Sequence, residues 1–238
     1  MDTIRNILAD NLEQVETRLV EACRRAGRSR ADVTLVGVTK SVPASVAAEL
    51  FALGVRDLGE GRPQELWRKA ALLPADVRWH LVGHLQRNKI DRTLPLAHRL
   101  HSIDSVRLLD ALEAMPGDTK IDVFLEVNCS GEANKQGFAP EAVLGLGDHL
   151  RTLSHVRVRG LMTMAAFAED PEACRPTFRH LRELRDGLRL TAGEAHPLDE
   201  LSMGMSGDFE IAVEEGATCV RIGTTLFAGL PPPEADHD

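Results

Sequence analysis

The chain reads as an α/β protein built on a single (β/α)8 barrel of TIM type, with an additional N-terminal helix and no second β-domain. Three observations predict this. Eight short strand candidates, the first a β-branched run, alternate with helical stretches, the grammar of parallel strands joined by helical crossovers. The count of eight favours a closed barrel over an open doubly wound sheet. A chain of 238 residues with 43% hydrophobic content is enough for one large core, and barrels of this length are commonly one domain.

The elements follow in order. Ile4, Leu8, Leu12, Val15, Leu19 and Cys23 recur at helical spacing, so residues 2–26 are expected to form an amphipathic helix that Gly27 ends. The β-branched run 33–38 is the first strand. Pro43 then opens a helix over 44–53, as proline does in a first helical turn. Further strands are expected at 55–59, 77–82, 100–103, 121–127, 156–162, 200–203 and 218–222. Helical stretches around 62–72, 86–94, 105–114, 140–151, 172–190 and 207–215 separate them. The barrel domain is expected over 1–230. The proline-rich tail 231–238 is expected to be disordered.

Composition removes several classes of function. No apolar run is long enough to cross a bilayer. The charged, helical N-terminus is neither a signal nor a transit peptide, so a cytoplasmic location is expected. A net charge of -8 gives no support for non-specific nucleic-acid binding. Cys23, Cys129, Cys174 and Cys219 are isolated, which fits reduced thiols rather than a disulfide framework or a zinc site.

In a barrel of this kind, function gathers at the carboxyl ends of the strands. Lys40 lies two residues past the first strand. Gly59-Glu60-Gly61-Arg62 follows the second, and His80, Gly83 and His84 mark the third. Asn128, with Ser130-Gly131-Glu132 and Asn134-Lys135, follows the fifth, and Met162-Thr163-Met164 the sixth. Residues 201–229 tell most. There Leu201-Ser202-Met203 runs into Gly204-Met205-Ser206-Gly207, and Cys219-Val220-Arg221-Ile222 into Gly223-Thr224-Thr225. Small residues let a backbone approach a ligand and turn its N–H groups into one cavity. With the hydroxyls of Ser206, Thr224 and Thr225, two such turns suit a phosphate, at the strand ends where these barrels often bind one. Arg221 sits in an otherwise apolar strand, where an unpaired charge is costly, so it is expected to face a ligand or a partner. A lone lysine at a strand end is ordinarily just solvated. Beside a phosphate cradle and a strand arginine, the Lys40 amine reads as a Schiff-base former. A lysine for an aldehyde, a cradle for a phosphate and an arginine for a pyridine nitrogen match the needs of pyridoxal 5′-phosphate.

The motifs also carry a family resemblance. They are Val38-Thr39-Lys40, Gly59-Glu60, the run from His80 to Lys89, and Ser130-Gly131-Glu132-Ala133-Asn134-Lys135-Gln136-Gly137. Gly160-Leu161-Met162-Thr163-Met164, Leu201-Ser202-Met203-Gly204-Met205-Ser206, and Gly216-Ala217-Thr218 with Val220-Arg221-Ile222-Gly223-Thr224 complete the set. In this order, over residues 33–229, the chain resembles the pyridoxal-phosphate homeostasis proteins, also called the YggS or proline-synthetase co-transcribed family. The resemblance implies a barrel like the N-terminal domain of alanine racemase. It implies that Lys40 holds the cofactor as an internal aldimine, that Ser206, Gly223 and Thr224 bind its phosphate, and that Arg221 faces its pyridine nitrogen. It assigns no contact to Asn88. It further implies a binder that stores or delivers the cofactor, with apo-enzymes as recipients, in vitamin B6 and amino-acid homeostasis. One departure stands out: the family usually has Gly-Glu-Asn after the second strand, and here Gly61 takes the place of that Asn.

Other residues have plainer readings. His80 and His84 are four apart, but Trp79-His80-Leu81-Val82 reads as a strand, whose side chains alternate faces, so no metal is expected there. His98 and His101 lack evident partners. Met162, Met164, Met203 and Met205 read as barrel core. Glu214-Glu215 and the arginines of 175–189 read as solvated helix faces. An arginine stays charged, so a pyridine nitrogen opposite it stays unprotonated and the ring is a weaker electron sink. In barrel alanine racemases the second base is a tyrosine from an additional β-domain; this chain has no tyrosine and no such domain is expected. A binding protein with little or no turnover, expected to be monomeric, is the leading reading. A slow pyridoxal-phosphate-dependent racemase or lyase using another base, such as His80 or a cysteine, is the alternative. A Schiff-base aldolase is a third.

Overall fold

The computed structural model describes residues 2–117, 120–132 and 136–231. Its centre is a closed barrel in which consecutive strands are neighbours and the eighth returns to the first. In chain order the strands are β1 (Thr34–Val38), β2 (Asp57–Glu60), β3 (Arg78–Leu81), β4 (Ala97–Ile103), β5 (Ile121–Glu126), β6 (Val156–Met162), β7 (Glu200–Ser202) and β8 (Cys219–Ile222). Every pairing is parallel. All eight strands predicted from apolar runs are present, with ends displaced by three residues or fewer.

The helices are α1 (Asp2–Arg25), α2 (Ala44–Ala52), α3 (Pro63–Ala70), α4 (Ile90–Thr93), α5 (Val106–Glu113), α6 (Pro140–Val143), α7 (Gly147–Leu150), α8 (Arg175–Arg189) and α9 (Phe209–Glu214). Two expected helices are shorter or broken. The stretch 86–94 is a 3-10 turn leading into α4, and 140–151 is split into α6 and α7 by a 3-10 turn. Gly147 marks that break; a Cβ there would lie 2.3 Å from the Thr191 hydroxyl.

The extra helix α1 covers the side of the barrel where it closes. Leu8, Val15, Leu19 and Cys23 form its buried stripe, and each full burial of such an aliphatic side chain contributes about 1.5–3 kcal/mol. Arg18 and Arg25 pair with Glu210 and Glu214 of α9, and Asn11 donates to the carbonyls of Leu226 and Ala228. Gly27, at φ 66°, ends α1 while Arg28 N–H donates to the Cys23 carbonyl at 2.9 Å. That is a left-handed terminus open to glycine without strain.

Alternation along the strands divides two cores. Leu35, Leu58, Trp79, Leu81, Leu100, Val123, Leu125 and Leu201 point outward and pack under the helices in one large cluster. Inside the barrel the only separate apolar cluster among the described residues is Val36, Val38 and Cys219, with Val82 against it. Apart from Phe124, whose ring packs on His101, much of the rest of the lumen is polar. It contains Asp57, His80, His101, Ser202 and Arg221, all buried, where barrels of this kind ordinarily stack branched aliphatics.

Two surface expectations change. Glu215 is buried, and its carboxylate meets Arg175, Arg179 and Arg182 of α8 at 3.2, 3.1 and 2.8 Å, so this part of α8 clamps the end of α9 instead of facing solvent alone. Met162 and Met203 are core, whereas Met164 is half-buried and Met205 exposed, because these two lie in loops past the strand ends. From residue 232 onward the proline-rich tail lies outside the described residues, as do Ala133-Asn134-Lys135.

Candidate functional site

The predicted residues converge at the carboxyl ends of β1, β7 and β8. Lys40 is exposed, just past β1. Its backbone is tied from below. Thr39 N–H donates to the Gly59 carbonyl at 2.8 Å, and Lys69 of α3, wholly buried, donates to the Thr39 carbonyl at 2.6 Å. Lys69 also pairs with Glu60 at 2.5 Å, and Glu60 accepts from the Thr39 hydroxyl at 2.6 Å. Lys40 is therefore carried on a turn anchored by a second, buried lysine.

Gly61 borders this turn. A Cβ on it would lie 3.6 Å from Lys40 Cδ, an ordinary contact, and its φ is not in the left-handed region. Neither space nor backbone demands glycine here, so the missing side chain widens the surroundings of Lys40. Gly83 is different: a Cβ there would lie 2.1 Å from the Gly61 carbonyl oxygen, so the loops after β2 and β3 touch only because Gly83 has no side chain.

The two small-residue turns lie side by side. The N–H groups of Gly223 and Thr225 both donate to Ser206 Oγ, each at 3.3 Å. Arg221 N–H donates to the Gly204 carbonyl at 3.0 Å, joining the loop after β7 to β8. Gly204 has φ 93°, and a Cβ on it would lie 2.6 Å from the Ala212 Cβ. Thr224 is exposed beside the cradle. Two backbone donors that converge on one hydroxyl oxygen form a concave cluster of N–H groups, the kind of arrangement that can take up an anion. Asp208 accepts from Met205 N–H at 2.6 Å, and burial raises its carboxyl above the usual value.

Arg221 is buried, and its guanidinium donates to Ser202 Oγ at 2.6 Å and to the Thr163 carbonyl at 2.9 Å. From Ser202 the contacts continue. His101 Nδ1 lies 2.8 Å from Ser202 Oγ, His101 Nε2 lies 2.8 Å from His80 Nδ1, and His80 Nε2 lies 2.9 Å from Asp57. Burial pushes both histidines below the usual imidazole value, His101 well below it. Burial works to raise the Asp57 carboxyl, but hydrogen bonds from His80 and Arg78 outweigh it and hold the group at about 2.

Sequence reading placed Lys40, Ser206, Arg221, Gly223 and Thr224 in one site; the structure sets them on or just past the adjacent strands β1, β8 and β7, with Ser206 bonded to the Gly223 N–H. It missed the partners beneath. His101, without an evident partner in sequence, has two. His80 and His84 diverge because β3 ends at Leu81 and His84 lies in the loop beyond it: His80 enters the lumen, and His84 is exposed beside Asp104 at 3.1 Å. The available signal was polar residues at inward strand positions, Asp57, His80, His101 and Ser202, once the barrel was assumed. Asn88 is exposed in the 3-10 turn before α4. Among the described residues no group of three or more His, Cys, Asp or Glu side chains is placed to hold a metal ion, and no helix is long and apolar enough to cross a membrane.

Barrel, cradle and strand arginine define a class. Over residues 6–231 the chain matches the family described as alanine racemase, N-terminal domain, and it belongs to that family. Among curated relatives, it is 43% identical to the pyridoxal phosphate homeostasis protein of Aquifex aeolicus, over 92% of this chain and 96% of that one. It is 33% identical to the human protein of the same name, over 91% of this chain and 84% of that one. Its fold is similar to that of PipY from Synechococcus elongatus, solved with PLP bound, at a TM-score of 0.80 and 32% identity, covering 92% of this chain and 99% of that one. The chain is accordingly a member of the pyridoxal phosphate homeostasis protein family.

Proposed function

We propose that the protein binds pyridoxal 5′-phosphate for vitamin B6 and amino-acid homeostasis, with Lys40 as the point of covalent attachment and little or no turnover. The observation that carries this is the convergence of three different donors on neighbouring strand ends. The Lys40 amine suits an aldehyde, the buried Arg221 guanidinium suits a ring nitrogen that only accepts, and the Gly223 and Thr225 N–H groups with Ser206 suit a phosphate. Thr224 adds a hydroxyl at the rim. When bound, the cofactor supplies an aldehyde that condenses reversibly with amines and a ring that withdraws electrons from a bound amino acid. The relatives named for pyridoxal phosphate homeostasis, and the PLP-bound structure of PipY, support the same ligand.

The residues around the site favour holding over catalysis. A racemase or lyase needs a proton-transfer group besides the lysine. Both nitrogens of His80 are engaged inside the barrel. Burial pushes the Cys129 thiol up to about 11 and the Cys219 thiol up to about 12. His80, Cys129 and Cys219 are thus withdrawn or unreactive as bases. The exposed position of Lys40 suits exchange with solvent and with apo-enzymes, which we take as recipients of the cofactor from a monomeric, cytoplasmic protein.

The test is chemical. Incubation with pyridoxal phosphate followed by borohydride should fix the cofactor to the peptide containing Lys40, and Lys40→Ala should abolish the label while retaining weak phosphate binding. Label on another lysine overturns the assignment. Deuterium exchange at the α-carbon of added amino acids above the rate of free cofactor would overturn the absence of turnover.

A further inference from the structure

The buried contacts beneath Arg221 have only one consistent set of proton positions. The Asp57 carboxylate is ionised and only accepts, so His80 donates through Nε2. Burial keeps His80 neutral, which leaves a lone pair on Nδ1. His101 must then donate from Nε2 to His80 Nδ1. His101 is neutral as well, so its Nδ1 accepts from the Ser202 hydroxyl. The Ser202 oxygen in turn accepts from Arg221 Nη1. Five strands, β2, β3, β4, β7 and β8, each contribute one member. The bond from His101 to Ser202 crosses the lumen, because β4 and β7 are not sheet neighbours. His101 is braced by the Phe124 ring at 4.6 Å between centroids.

We propose that Ser202, His101 and His80 are positioning residues, a one-way chain of donors that fixes the Arg221 guanidinium for a ligand's ring nitrogen and ends on Asp57, whose charge Arg78 pairs from the other side. The assignment rests on the reading of Arg221 as the partner of that nitrogen. Ser202 on Nη1 and the Thr163 carbonyl on Nη2 fix the plane of the fork at two points, and its other N–H groups are left for the ligand. Uncharged side chains separate the arginine from Asp57. The cation is held as rigidly as in an ion pair, yet keeps its charge facing the ligand. A carboxylate in direct contact would offset that charge, and a lone arginine in this lumen would leave its plane undefined.

The experiment has two arms on the full chain. Side-chain 15N–1H correlation spectra of the ligand-free protein at pH 7, assigned with His80→Gln and His101→Gln, should show both rings as neutral Nε2–H tautomers. An Nδ1–H tautomer or an imidazolium at either position overturns the chain. In the second arm, affinities are measured for 4′-deoxypyridoxine 5′-phosphate, which lacks the aldehyde and so bypasses Lys40, and for inorganic phosphate. Ser202→Ala and His101→Leu should each weaken the pyridine ligand by about tenfold, the scale of a hydrogen bond to a charged group, with inorganic phosphate unchanged. His101→Gln, which can both accept and donate, should restore binding. Equal weakening of both ligands, or none, overturns the positioning role. If the wild type binds phosphate but gains nothing from the pyridine ring, the ring-nitrogen reading falls, while the tautomers still decide the proton order.

Discussion

Two regions hold the two ends of the same site, and they do so in opposite ways. Under Lys40, a cation and an anion touch directly: Lys69 and Glu60 are both buried, 2.5 Å apart, between β2 and α3 outside the barrel wall. Under Arg221, inside the lumen, the guanidinium reaches Asp57 only through Ser202, His101 and His80. The first device grips backbone, at the Thr39 carbonyl, and leaves the Lys40 side chain free. The second grips a side chain and leaves the backbone to the sheet. A residue that must react and release needs a fixed root and a loose tip. A residue that must recognise one edge of a ring needs its tip fixed. The difference also predicts where damage appears, in folding on one side and in ligand recognition on the other.

Breaking the charged device should have the largest effect. Lys69→Met strands the Glu60 carboxylate in the interior and should destabilise the fold by about 3–5 kcal/mol, measured by urea denaturation. Combining it with Glu60→Leu should recover a large part of the loss, since a buried pair is often replaceable by apolar residues although either member alone is not. A double variant as unstable as the single one would mean that the tie to Thr39, and not the charge, dominates.

The neutral device should be milder to break. His101→Leu leaves the Ser202 hydroxyl and the His80 acceptor without their partner, a loss of about 1–3 kcal/mol in the same denaturation assay. Loss on the scale of Lys69→Met would erase the contrast between the two regions.

Acid sharpens the comparison. The folded values of His80 and His101 lie below the ordinary 6.5. Their contribution is fully present above that value and is lost as pH falls below it, because the unfolded chain takes up protons that the folded rings refuse. A second loss should follow below about pH 4, the ordinary carboxylate range. There the unfolded chain protonates first, while Asp57 and Glu113 stay ionised down to about 2. Glu113 is held there, against burial, by the Ser154 hydroxyl and the N–H groups of Ser154, His155 and Val156. Melting temperature against pH should therefore decline in two stages from neutrality, and a flat profile between pH 7 and 5 would contradict a neutral relay.

The smallest effect is expected at Gly61. A Cβ fits there without clash, so Gly61→Asn should leave stability within about 0.5 kcal/mol while slowing cofactor release, read by trapping released pyridoxal phosphate after dilution. Unchanged release would show that the open space beside Lys40 has no bearing on retention.

The strands were legible because each carries its own apolar pattern. Residues 156–162 were predicted to the residue as β6, since Val156, Val158, Leu161 and Met162 mark a buried strand even with two arginines between them. The helix over 140–151 was not, because the crowding of Gly147 against Thr191 that marks its break comes from a distant loop. Lys40, Ser206, Arg221, Gly223 and Thr224 were legible because a reactive amine, small-residue turns and a strand arginine are unusual in sequence. Glu215 was misjudged as solvated, because its three arginines approach from another helix.

The amino-acid sequence by itself determined the order of elements, the closed parallel barrel and the ligand class, and it marked the residues proposed to meet that ligand, all of which rest on local period and residue chemistry. Only the tertiary structure decided what holds those residues. Asp57, His80, His101 and Ser202 lie on four different strands, and one bond crosses the barrel. Their partnership exists only once closure brings inward positions within hydrogen-bonding distance, and burial then keeps the histidines neutral and the chain of donors one-way.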